Sequence, residues 1–458
     1  MTSLPSALLQ SLAHVPGFDK ERFEAVHTSG IQVTSVRGNP IKLSSAGLSH
    51  LPVKNKIPWS SYGYYLTERP AFIFDPHLHA GQYYVQEASS MFLEQALKQS
   101  VDLSQPLKVL DLCAAPGGKS TLIQSLISTD SVLVSNEVIK QRSAVLEENI
   151  IKWGGGNVVV TNNDPAHFAR LENYFDVMVI DAPCSGSGLF RRDPEAIEEW
   201  SENNVQLCSQ RQQRIIADAW PALKEDGVLI YSTCSYSAEE DENILDWLCS
   251  NFQATSIPLQ VPQEWNIIET ISPLKKAIGY RFYPDKLDGE GFFIAVIRKN
   301  EGGYFQSPKA VKAGEGLLSK TEAALVKPWI KEADWLFYKQ QDAVLALPSS
   351  LHNELAVLKN NLYIKYAGIA MGKLSAKDLI PDHALAVSNM VSENLPKLSF
   401  HLEDAIRYLR KDEVRLDTDM RGWALAAFEE QPLGWIKILP NRSNNYYPKE
   451  WRILKAFA

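Results

Sequence analysis

The feature that most constrains the fold is an alternation of short apolar runs with helix-like segments between residues 107 and 299. Each apolar run has the length of a strand that is buried on both faces of a sheet. Such an alternation is typical of an α/β domain with a parallel sheet, which binds its ligands at the carboxyl ends of the strands. The predicted strands are 108–113, 131–138, 157–164, 175–184, 227–235 and 292–299.

The length of 458 residues allows about three domains. Prolines interrupt any long helix in the first hundred residues, and a glycine-rich stretch after the last predicted strand has the composition of a linker. A mixed segment and a compact, tryptophan-rich end follow it. The predicted division is an N-terminal extension (1–104), the α/β domain (105–300), a linker (301–316), a first C-terminal domain (317–398) and a C-terminal module (399–458).

Composition excludes several classes of protein. No run approaches the roughly 18 apolar residues of a membrane-spanning helix. The five cysteines include no C-x-x-C pair, so neither a zinc ribbon nor a disulfide framework is indicated. We therefore expect a reduced, cytoplasmic protein without a metal. The net charge of the chain is −8, and residues 101–300 are acidic while both flanking parts are slightly basic. This distribution argues against indiscriminate nucleic-acid binding but leaves room for a specific RNA site.

The first strand leads into a loop of small residues, from Cys113 to Lys119. Glycine and alanine there let the backbone approach a ligand, and the following helix offers N–H donors to a carboxylate or phosphate. A phosphate-binding P-loop needs glycine where Cys113 stands, and the G-x-G-x-x-G dinucleotide pattern is absent from the sequence. An ordinary tight turn remains the alternative.

Acidic residues follow the next two strands. Glu137 ends the second strand, near the offset at which an acid binds ribose hydroxyls in nucleotide-binding α/β folds. Asp164 ends the third strand and could accept a hydrogen bond from an adenine amino group. Each alone could equally be a solvated loop acid or a helix cap. Together with Asp111 they place acids at three successive strand ends, which favours a nucleoside site.

Two cysteines stand at the ends of the next two strands. Cys184 belongs to a D-A-P-C segment that begins at Asp181, and Cys234 belongs to a T-C-S segment. A free cysteine is usually a small buried hydrophobe, which is how we interpret Cys208 and Cys249. Cysteines at adjacent strand ends beside an acid instead indicate a reactive site, since thiolates there can act as nucleophiles.

These motifs resemble those of the Sun-type RNA cytosine-C5 methyltransferases. The segments that carry the resemblance are, in order, DLCAAPGGKS, NEVIKQR, TNND, DAPCSGSGLFRRDPEAIEEW, YSTCS and RFYPDKLDGEGFFIAVIRK. Three earlier segments, SVRGNP, PWSSYGYYL and FDPHLHAGQYYVQEASSM, are similar to the RNA-binding extension of the family. The segment PLGWIKILPNRSNNYYPKEWRI is similar to the small PUA-like module of the bacterial 16S ribosomal RNA branch.

The resemblance implies a Rossmann-like domain dependent on S-adenosylmethionine, an N-terminal RNA-binding extension and a C-terminal PUA-like, β-rich module. Glu137 would bind the ribose of the cofactor and Asp164 its adenine. Asp181 would lie between the cofactor and the target base and contact both. The residues whose backbone would hold the methionine end are Cys113, Ala114, Ala115, Pro116, Gly117, Gly118 and Lys119.

The resemblance also implies a covalent mechanism. Cys234 would attack carbon 6 of cytosine, which makes carbon 5 nucleophilic, and Cys184 would help to resolve the adduct. Asp181 would hydrogen-bond the base and stabilise the charge that develops on it. The residues alone do not order the two cysteines.

RNA contacts are predicted in two places. Near the site the candidates are Arg191, Arg192, Arg281 and Lys286. In the C-terminal module they are Arg442, Asn444, Asn445, Tyr446, Tyr447 and Lys449. The alternatives are that the arginines lie on a solvated face and that one of the tyrosines lies in the core of the module.

The similarity of the C-terminal module favours 16S ribosomal RNA, or the small ribosomal subunit, as the partner. The enzyme is expected to be a monomer. The alternatives are a transfer RNA cytosine-C5 methyltransferase and a catalytically silent RNA-binding factor for ribosome assembly. Adenine amino-methyltransferases of the D-P-P-Y type also use this fold. Here Ala182 and Cys184 replace the proline and the tyrosine of that motif.

Overall fold

The computed structural model describes residues 4–45, 47–306, 316–375 and 378–457. Residues 307–315, most of the predicted linker, lie outside the described residues. Within the described ranges, no helix is long and apolar enough to cross a membrane.

The N-terminal part packs short helices around an antiparallel sheet with the strand order β2-β3-β1-β4. Its strands are Thr34–Gly38 (β1), Val53–Lys56 (β2), Gly63–Leu66 (β3) and Tyr83–Val85 (β4). Its helices are Ser6–Leu12 (α1), Lys20–Thr28 (α2), Pro76–His79 (α3) and Leu93–Ser100 (α4).

A strand overlaps each of the apolar runs that the sequence singles out. The strands of this part are Lys108–Asp111 (β5), Val132–Asn136 (β6), Val158–Thr161 (β7), Phe175–Asp181 (β8), Leu223–Thr233 (β9), Ala254–Ser256 (β10), Ile268–Ile271 (β11), Ile278–Phe282 (β12) and Phe292–Lys299 (β13). The helices are Gly118–Leu126 (α5), Lys140–Trp153 (α6), Glu195–Glu199 (α7), Glu202–Ala219 (α8) and Glu242–Asn251 (α9).

The expectation of a purely parallel sheet is wrong at both edges, since a later strand, Ile364–Ala367, pairs antiparallel with β7. Strands β5 to β9 pair in parallel, but β13 runs antiparallel to β9, and β12 and β11 continue antiparallel beyond it. A strand buried on both faces has the same apolar composition in either direction, so its sequence does not reveal its orientation. The sheet is therefore mixed.

The C-terminal part forms two further sheets, β14-β15-β17-β18 and β19-β20-β21-β22. Its strands are Trp335–Gln340 (β14), Ala343–Pro348 (β15), Ile364–Ala367 (β16), Ile369–Leu374 (β17), Leu379–Pro381 (β18), Lys397–Phe400 (β19), Gly422–Phe428 (β20), Gln431–Ile438 (β21) and Ser443–Asn445 (β22). Its helices are Lys320–Val326 (α10), His352–Asn361 (α11), His383–Val387 (α12) and Leu402–Arg410 (α13).

The segment 317–398 has a sheet of its own and also packs against the α/β domain, and its predicted status as a domain stays a prediction. Strand β16 pairs antiparallel with β7 and so extends the central sheet. Leu345, Leu355 and Leu358 join the apolar core on one face of that sheet. This pairing joins strands about two hundred residues apart, which local sequence patterns do not reveal. The other predicted domain boundaries stay predictions.

The two faces of the central sheet are covered by different parts of the chain. Successive residues of β5 point to opposite faces, so Leu110 joins the core beneath the C-terminal segment and Val109 joins the core that contains Trp59 and Met91. The order of the parallel strands reverses between β5 and β8, since the chain runs from β5 through β6 to β7 and then returns to β8. A crevice opens at such a reversal, at the carboxyl ends of the strands.

Candidate active site

A cleft of about 280 Å³ lies at this reversal, between the strand ends and the loop after β4. The floor of the cleft is formed by the loop after β5 and by the ends of β8 and β9. The opposite side is formed by residues of the N-terminal part. It is lined by Tyr84, Val85, Gln86, Glu87, Ser90, Cys113, Ala114, Ala115, Pro116, Gly118, Lys119, Asp181, Leu189, Arg192, Cys234, Glu290, Gly291 and Phe292.

The loop from Cys113 to Lys119 forms a tight turn that leads directly into α5. Gly117 has φ +116°, a left-handed conformation that favours glycine, and α5 begins immediately after it. A Cβ on Gly118 would lie 3.3 Å from a ring carbon of Tyr84, so a side chain there would narrow the cleft. A narrow ligand whose carboxylate meets the first N–H groups of α5 fits this loop. The methionine end of S-adenosylmethionine has this form.

The loop is held by its neighbours through its carbonyl oxygens. Arg142 donates to the carbonyl of Ala115 at 2.8 Å, and Asn149 donates to the carbonyl of Pro116 at 2.8 Å. Burial, together with nearby carboxylates that include Asp111, raises the pKa of the Cys113 thiol. Cys113 is therefore an inert thiol, consistent with a backbone role.

Asp181 lies at the centre of the cleft floor, at the end of β8. One of its oxygens accepts a hydrogen bond from Ser232 at 2.8 Å, and the other pairs with the ammonium group of Lys119 at 2.8 Å. Burial lowers the pKa of Lys119, but the charge and the hydrogen bond of Asp181, together with the charge of Asp111, outweigh burial and raise that pKa overall. The side chain of Lys119 thus places a positive charge beside Asp181. The sequence predicts a role only for the backbone of Lys119, so this side-chain role was missed.

The sulfur atoms of Cys184 and Cys234 lie 3.1 Å apart. The hydrogen bond between the two sulfurs and burial raise the pKa of Cys184, which favours its thiol form. Cys234 lines the cleft together with Asp181, whereas Cys184 is not among the lining residues. The two cysteines interpreted from the sequence as buried hydrophobes lie on helices and do not line the cleft. Cys208 is buried in α8, and Cys249 is half-buried in α9.

A buried carboxylate that the sequence did not single out holds the two cysteine loops together. Glu240 accepts hydrogen bonds from the backbone N–H and the hydroxyl of Ser185, at 2.8 and 2.5 Å. It also accepts from the hydroxyl of Ser235 at 2.6 Å and from the side-chain amide of Gln212 at 3.2 Å. Ser185 and Ser235 each follow one of the two cysteines, so Glu240 fixes the spacing of the sulfurs.

The two predicted nucleoside acids lie farther along the same edge of the sheet, outside the lining of the cleft. Glu137 is buried at the end of β6, accepts a hydrogen bond from the backbone of Ile139 at 2.8 Å and pairs with Arg142 at 3.5 Å. Asp164 is exposed after β7, and one of its oxygens caps the following helical turn by accepting from Ala166 at 3.0 Å. Their roles toward ribose and adenine stay predictions.

Asn136 is a further residue that the sequence analysis missed. Its side-chain amide donates to the carbonyls of Leu112 and Asn163, and its oxygen accepts from Thr161 and from the backbone of Asn163. These four bonds connect the ends of three neighbouring strands. An asparagine at the end of an apolar strand, directly before Glu137, was the available signal.

Two of the predicted RNA contacts are wrong because their side chains are buried and paired. Arg281 is 1% exposed and forms ion pairs with Glu242 and Asp241. Arg191 is 8% exposed and binds the carboxylate of Glu290 at 3.1 Å. Neither guanidinium can reach a phosphate without breaking a buried pair. Arg191 instead holds Glu290, which lines the cleft.

The remaining candidates differ in exposure. Arg192 is exposed and lines the cleft, while Lys286 is partly buried beside Asp285. In the C-terminal module, the exposed candidates are Arg442, Tyr446 and Lys449. Tyr447 is 1% exposed, and the side chain of Asn445 donates to the carbonyl of Tyr408, so these two residues stabilise the module. Asn444 is half-buried on β22.

Within the described ranges, the side chains of His50, Asp75 and His77 lie close enough together to bind a metal ion. The oxygens of Asp75 already accept hydrogen bonds from the hydroxyl of Tyr83 at 2.6 Å and from the backbone of His77 at 3.0 Å. Hydrogen bonding within the protein accounts for this cluster.

Three family models match successive parts of the chain. The model for the 16S rRNA methyltransferase RsmB/F matches residues 99–298. The model for the N-terminal domain of the 16S rRNA methyltransferase RsmF matches residues 4–88, and the model for the methyltransferase RsmF PUA domain matches residues 396–453. The chain belongs to the RsmB/F family. The fold class expected from the motifs is confirmed, with its N-terminal extension and its C-terminal PUA module.

Curated relatives agree with this RsmB/F assignment over nearly the whole chain. Ribosomal RNA small subunit methyltransferase F of Escherichia coli (strain K12) is 28% identical over 453 residues, covering 91% of this chain and 89% of that protein. The protein of the same name from Shigella dysenteriae serotype 1 is 28% identical over 447 residues. The RsmB/F chain is therefore an S-adenosylmethionine-dependent 16S rRNA cytosine-C5 methyltransferase. This assignment sets aside the transfer RNA and D-P-P-Y alternatives.

Solved structures share the fold of this RsmB/F chain. A methyltransferase homolog protein from Pyrococcus horikoshii is 28% identical with a TM-score of 0.52, covering 65% of this chain and 100% of that one. NSun6 from Pyrococcus horikoshii, solved with SFG, is 19% identical with a TM-score of 0.54, covering 65% of this chain and 99% of that one. The second likeness supports the fold alone.

Proposed function

We propose that this enzyme methylates carbon 5 of one cytosine in 16S ribosomal RNA, with Cys234 as the nucleophile. The observation that supports the proposal is the convergence of the two sulfurs, 3.1 Å apart, with Cys234 in the same cleft as Asp181. Carbon 5 of cytosine is a poor nucleophile, and a thiolate that adds to carbon 6 makes it enamine-like. Two thiols at one ring suit addition and elimination.

The electron and proton balance assigns a role to each group. The Cys234 thiolate would form a bond to carbon 6, and the former double bond would supply the electrons for a new bond between carbon 5 and the methyl group. The bond between that methyl group and the sulfonium sulfur of the cofactor would break, and the sulfur would keep its electrons as a neutral thioether. A base removes the proton from carbon 5, and the bond between sulfur and carbon 6 then breaks. Asp181, fixed by Lys119 and Ser232, hydrogen-bonds the ring as charge develops on it. Cys184, held as a thiol, assists the elimination.

S-adenosylmethionine supplies an electrophilic methyl group when it is bound. The backbone from Cys113 to Lys119 holds its methionine end, because that loop is shaped by Gly117 and lies at the start of α5. Glu137 and Asp164 bind its ribose and adenine from the neighbouring strand ends. Arg142, which contacts both the carbonyl of Ala115 and the carboxylate of Glu137, positions the two halves of this site.

The substrate is 16S rRNA, free or within the small ribosomal subunit, and the enzyme acts on it as a cytoplasmic monomer. The target base must leave any helix to enter a cleft of this size. The exposed side chains of Arg442, Tyr446 and Lys449 in the PUA module offer cations and an aromatic face to RNA.

The test uses 16S rRNA from cells that lack the gene for this enzyme. Purified enzyme and tritiated S-adenosylmethionine should label that RNA, and bisulfite sequencing should find one cytosine converted to 5-methylcytosine. RNA from cells that carry the gene, already methylated, is the matched control and should take up no label. Failure to label the unmethylated 16S rRNA, both free and within assembled small subunits, would contradict the proposal and favour a silent assembly factor.

A further inference from the structure

A second cleft, of about 210 Å³, opens beside the active site. Val85, Gln86, Glu87, Arg192 and Glu290 line both clefts, so the two are continuous. The second cleft adds residues from the N-terminal part, and its full lining is Gln32, Val33, Thr34, Ser35, Arg69, Val85, Gln86, Glu87, Arg192 and Glu290. A single-stranded nucleic acid whose base enters the first cleft can place a neighbouring nucleotide at this opening, because the two clefts are continuous.

The acids of the second cleft are already engaged. Glu87 accepts hydrogen bonds from the backbone N–H groups of Ser89, Ser90 and Glu290, at 2.8, 2.8 and 2.9 Å. The carboxylate of Glu290 accepts from Arg191. These contacts offset the negative charges within the protein, so the acids do not define the charge that the cleft presents to a ligand.

The cations of the cleft are available to a ligand. Arg69 and Arg192 are both exposed, and within the described ranges neither forms an ion pair with an acidic side chain. The guanidinium carbon of Arg69 lies 5.5 Å from the centre of the Phe72 ring, so an aromatic face supports it. An exposed, supported guanidinium beside an active-site opening suits a bidentate contact to a phosphate.

We propose that this second cleft, which we call the flanking cleft, holds the nucleotide next to the target cytosine, with Arg69 binding its phosphate. Gln32 lies exposed at the rim, where its amide can reach the sugar or the base edge. Arg192, shared by both clefts, contacts the phosphate between the two nucleotides. The proposal rests on the function proposed above, and it assigns the N-terminal part a direct share in holding the substrate strand at the site.

The test combines a protein change with a substrate change. Synthetic RNAs carry the mapped target cytosine with a neutral methylphosphonate at the far phosphate of its neighbouring nucleotide, either on the 5′ side or on the 3′ side. With the wild-type enzyme, one of these substitutions should lower kcat/KM about tenfold, which is the effect of losing a charge-assisted contact. Arg69→Ala should lower kcat/KM for the natural RNA by a similar factor, mainly through KM. The same methylphosphonate should then cause no further loss.

The matched control is Arg22→Ala, which removes the same charge from an exposed side chain outside both clefts. This variant should retain wild-type kcat/KM and full sensitivity to the methylphosphonate. The affinity for S-adenosylmethionine should be unchanged in both variants. The proposal is overturned if Arg69→Ala methylates as the wild type does, or if its loss and that of the methylphosphonate multiply independently. Absence of methylation by the wild type would instead refute the proposed function itself.

Discussion

Glu240 provides a sharp test of how the fold brings the two cysteines together. Replacement by alanine removes the acceptor for four hydrogen bonds on the cysteine loops and α8. The backbone N–H of Ser185 and the side-chain amide of Gln212 lose a buried partner, at about 1–3 kcal/mol for each. The hydroxyls of Ser185 and Ser235 can rotate to other partners. Burial raises the pKa of Glu240, so removing its carboxylate also recovers part of its desolvation cost.

The net loss in the free energy of unfolding should therefore be about 2–4 kcal/mol. The effect on the reaction should be larger than a stability loss alone would produce, because a displacement of roughly 1 Å at the reacting groups can reduce the rate about a hundredfold. Urea unfolding measures the first quantity. Single-turnover methyl transfer at saturating RNA and S-adenosylmethionine, below the unfolding transition, measures the second.

The conservative variant Glu240→Gln retains one carbonyl acceptor and should lose only about tenfold in the single-turnover rate. Glu239→Ala, which removes the neighbouring carboxylate, is the control and should retain the wild-type rate. A folded Glu240→Ala variant that transfers methyl groups at the wild-type rate would refute the claim that this carboxylate positions the thiols.

Three further predictions concern charge. Burial raises the pKa of Asp111 to about 7. Between about pH 4 and pH 7 the native state therefore keeps a proton that the unfolded chain has released. The free energy of unfolding falls as the pH rises through this range. Asp111→Asn should therefore stabilise the protein against urea more at pH 8 than at pH 5, with a difference of up to about 3 kcal/mol. An equal effect at both pH values would contradict this. Arg281→Met should cost about 3–5 kcal/mol of unfolding free energy because it leaves two buried carboxylates without their partner, yet leave the salt dependence of RNA affinity unchanged. Arg442→Ala should instead reduce the slope of log affinity against log salt concentration by about one while leaving stability unchanged, and a slope equal to that of the wild type would exclude a phosphate contact.

The sequence predicts the elements that local chemistry determines. Apolar runs bounded by polar residues locate β5 to β9 because buried strands have a distinct composition. The small residues after β5 and the acids after β6 and β7 mark the binding edge, since ligands of α/β folds bind at the carboxyl ends of strands. The placement of Cys184 and Cys234 at neighbouring strand ends likewise anticipates the contact between their sulfurs.

Features that depend on distant parts of the chain are not visible in the sequence. Arg281 looks like an exposed cation, and its burial depends on Glu242 and Asp241, which reach it from the start of α9. Glu240 lies in a polar, acidic stretch that resembles a solvated loop, yet the fold places it between the cysteine loops. The addition of β16 to the central sheet depends on an edge pairing with β7 that no periodicity encodes.

The covalent step can be observed directly by trapping the adduct between enzyme and RNA. Cys184→Ala, incubated with unmethylated 16S rRNA and S-adenosylmethionine, should accumulate a protein–RNA complex that survives a denaturing gel. Cys234→Ala should form no such complex and transfer no methyl group. A stable complex formed by Cys234→Ala, with Cys184→Ala inactive and free of adduct, would contradict the assignment and exchange the roles of the two sulfurs.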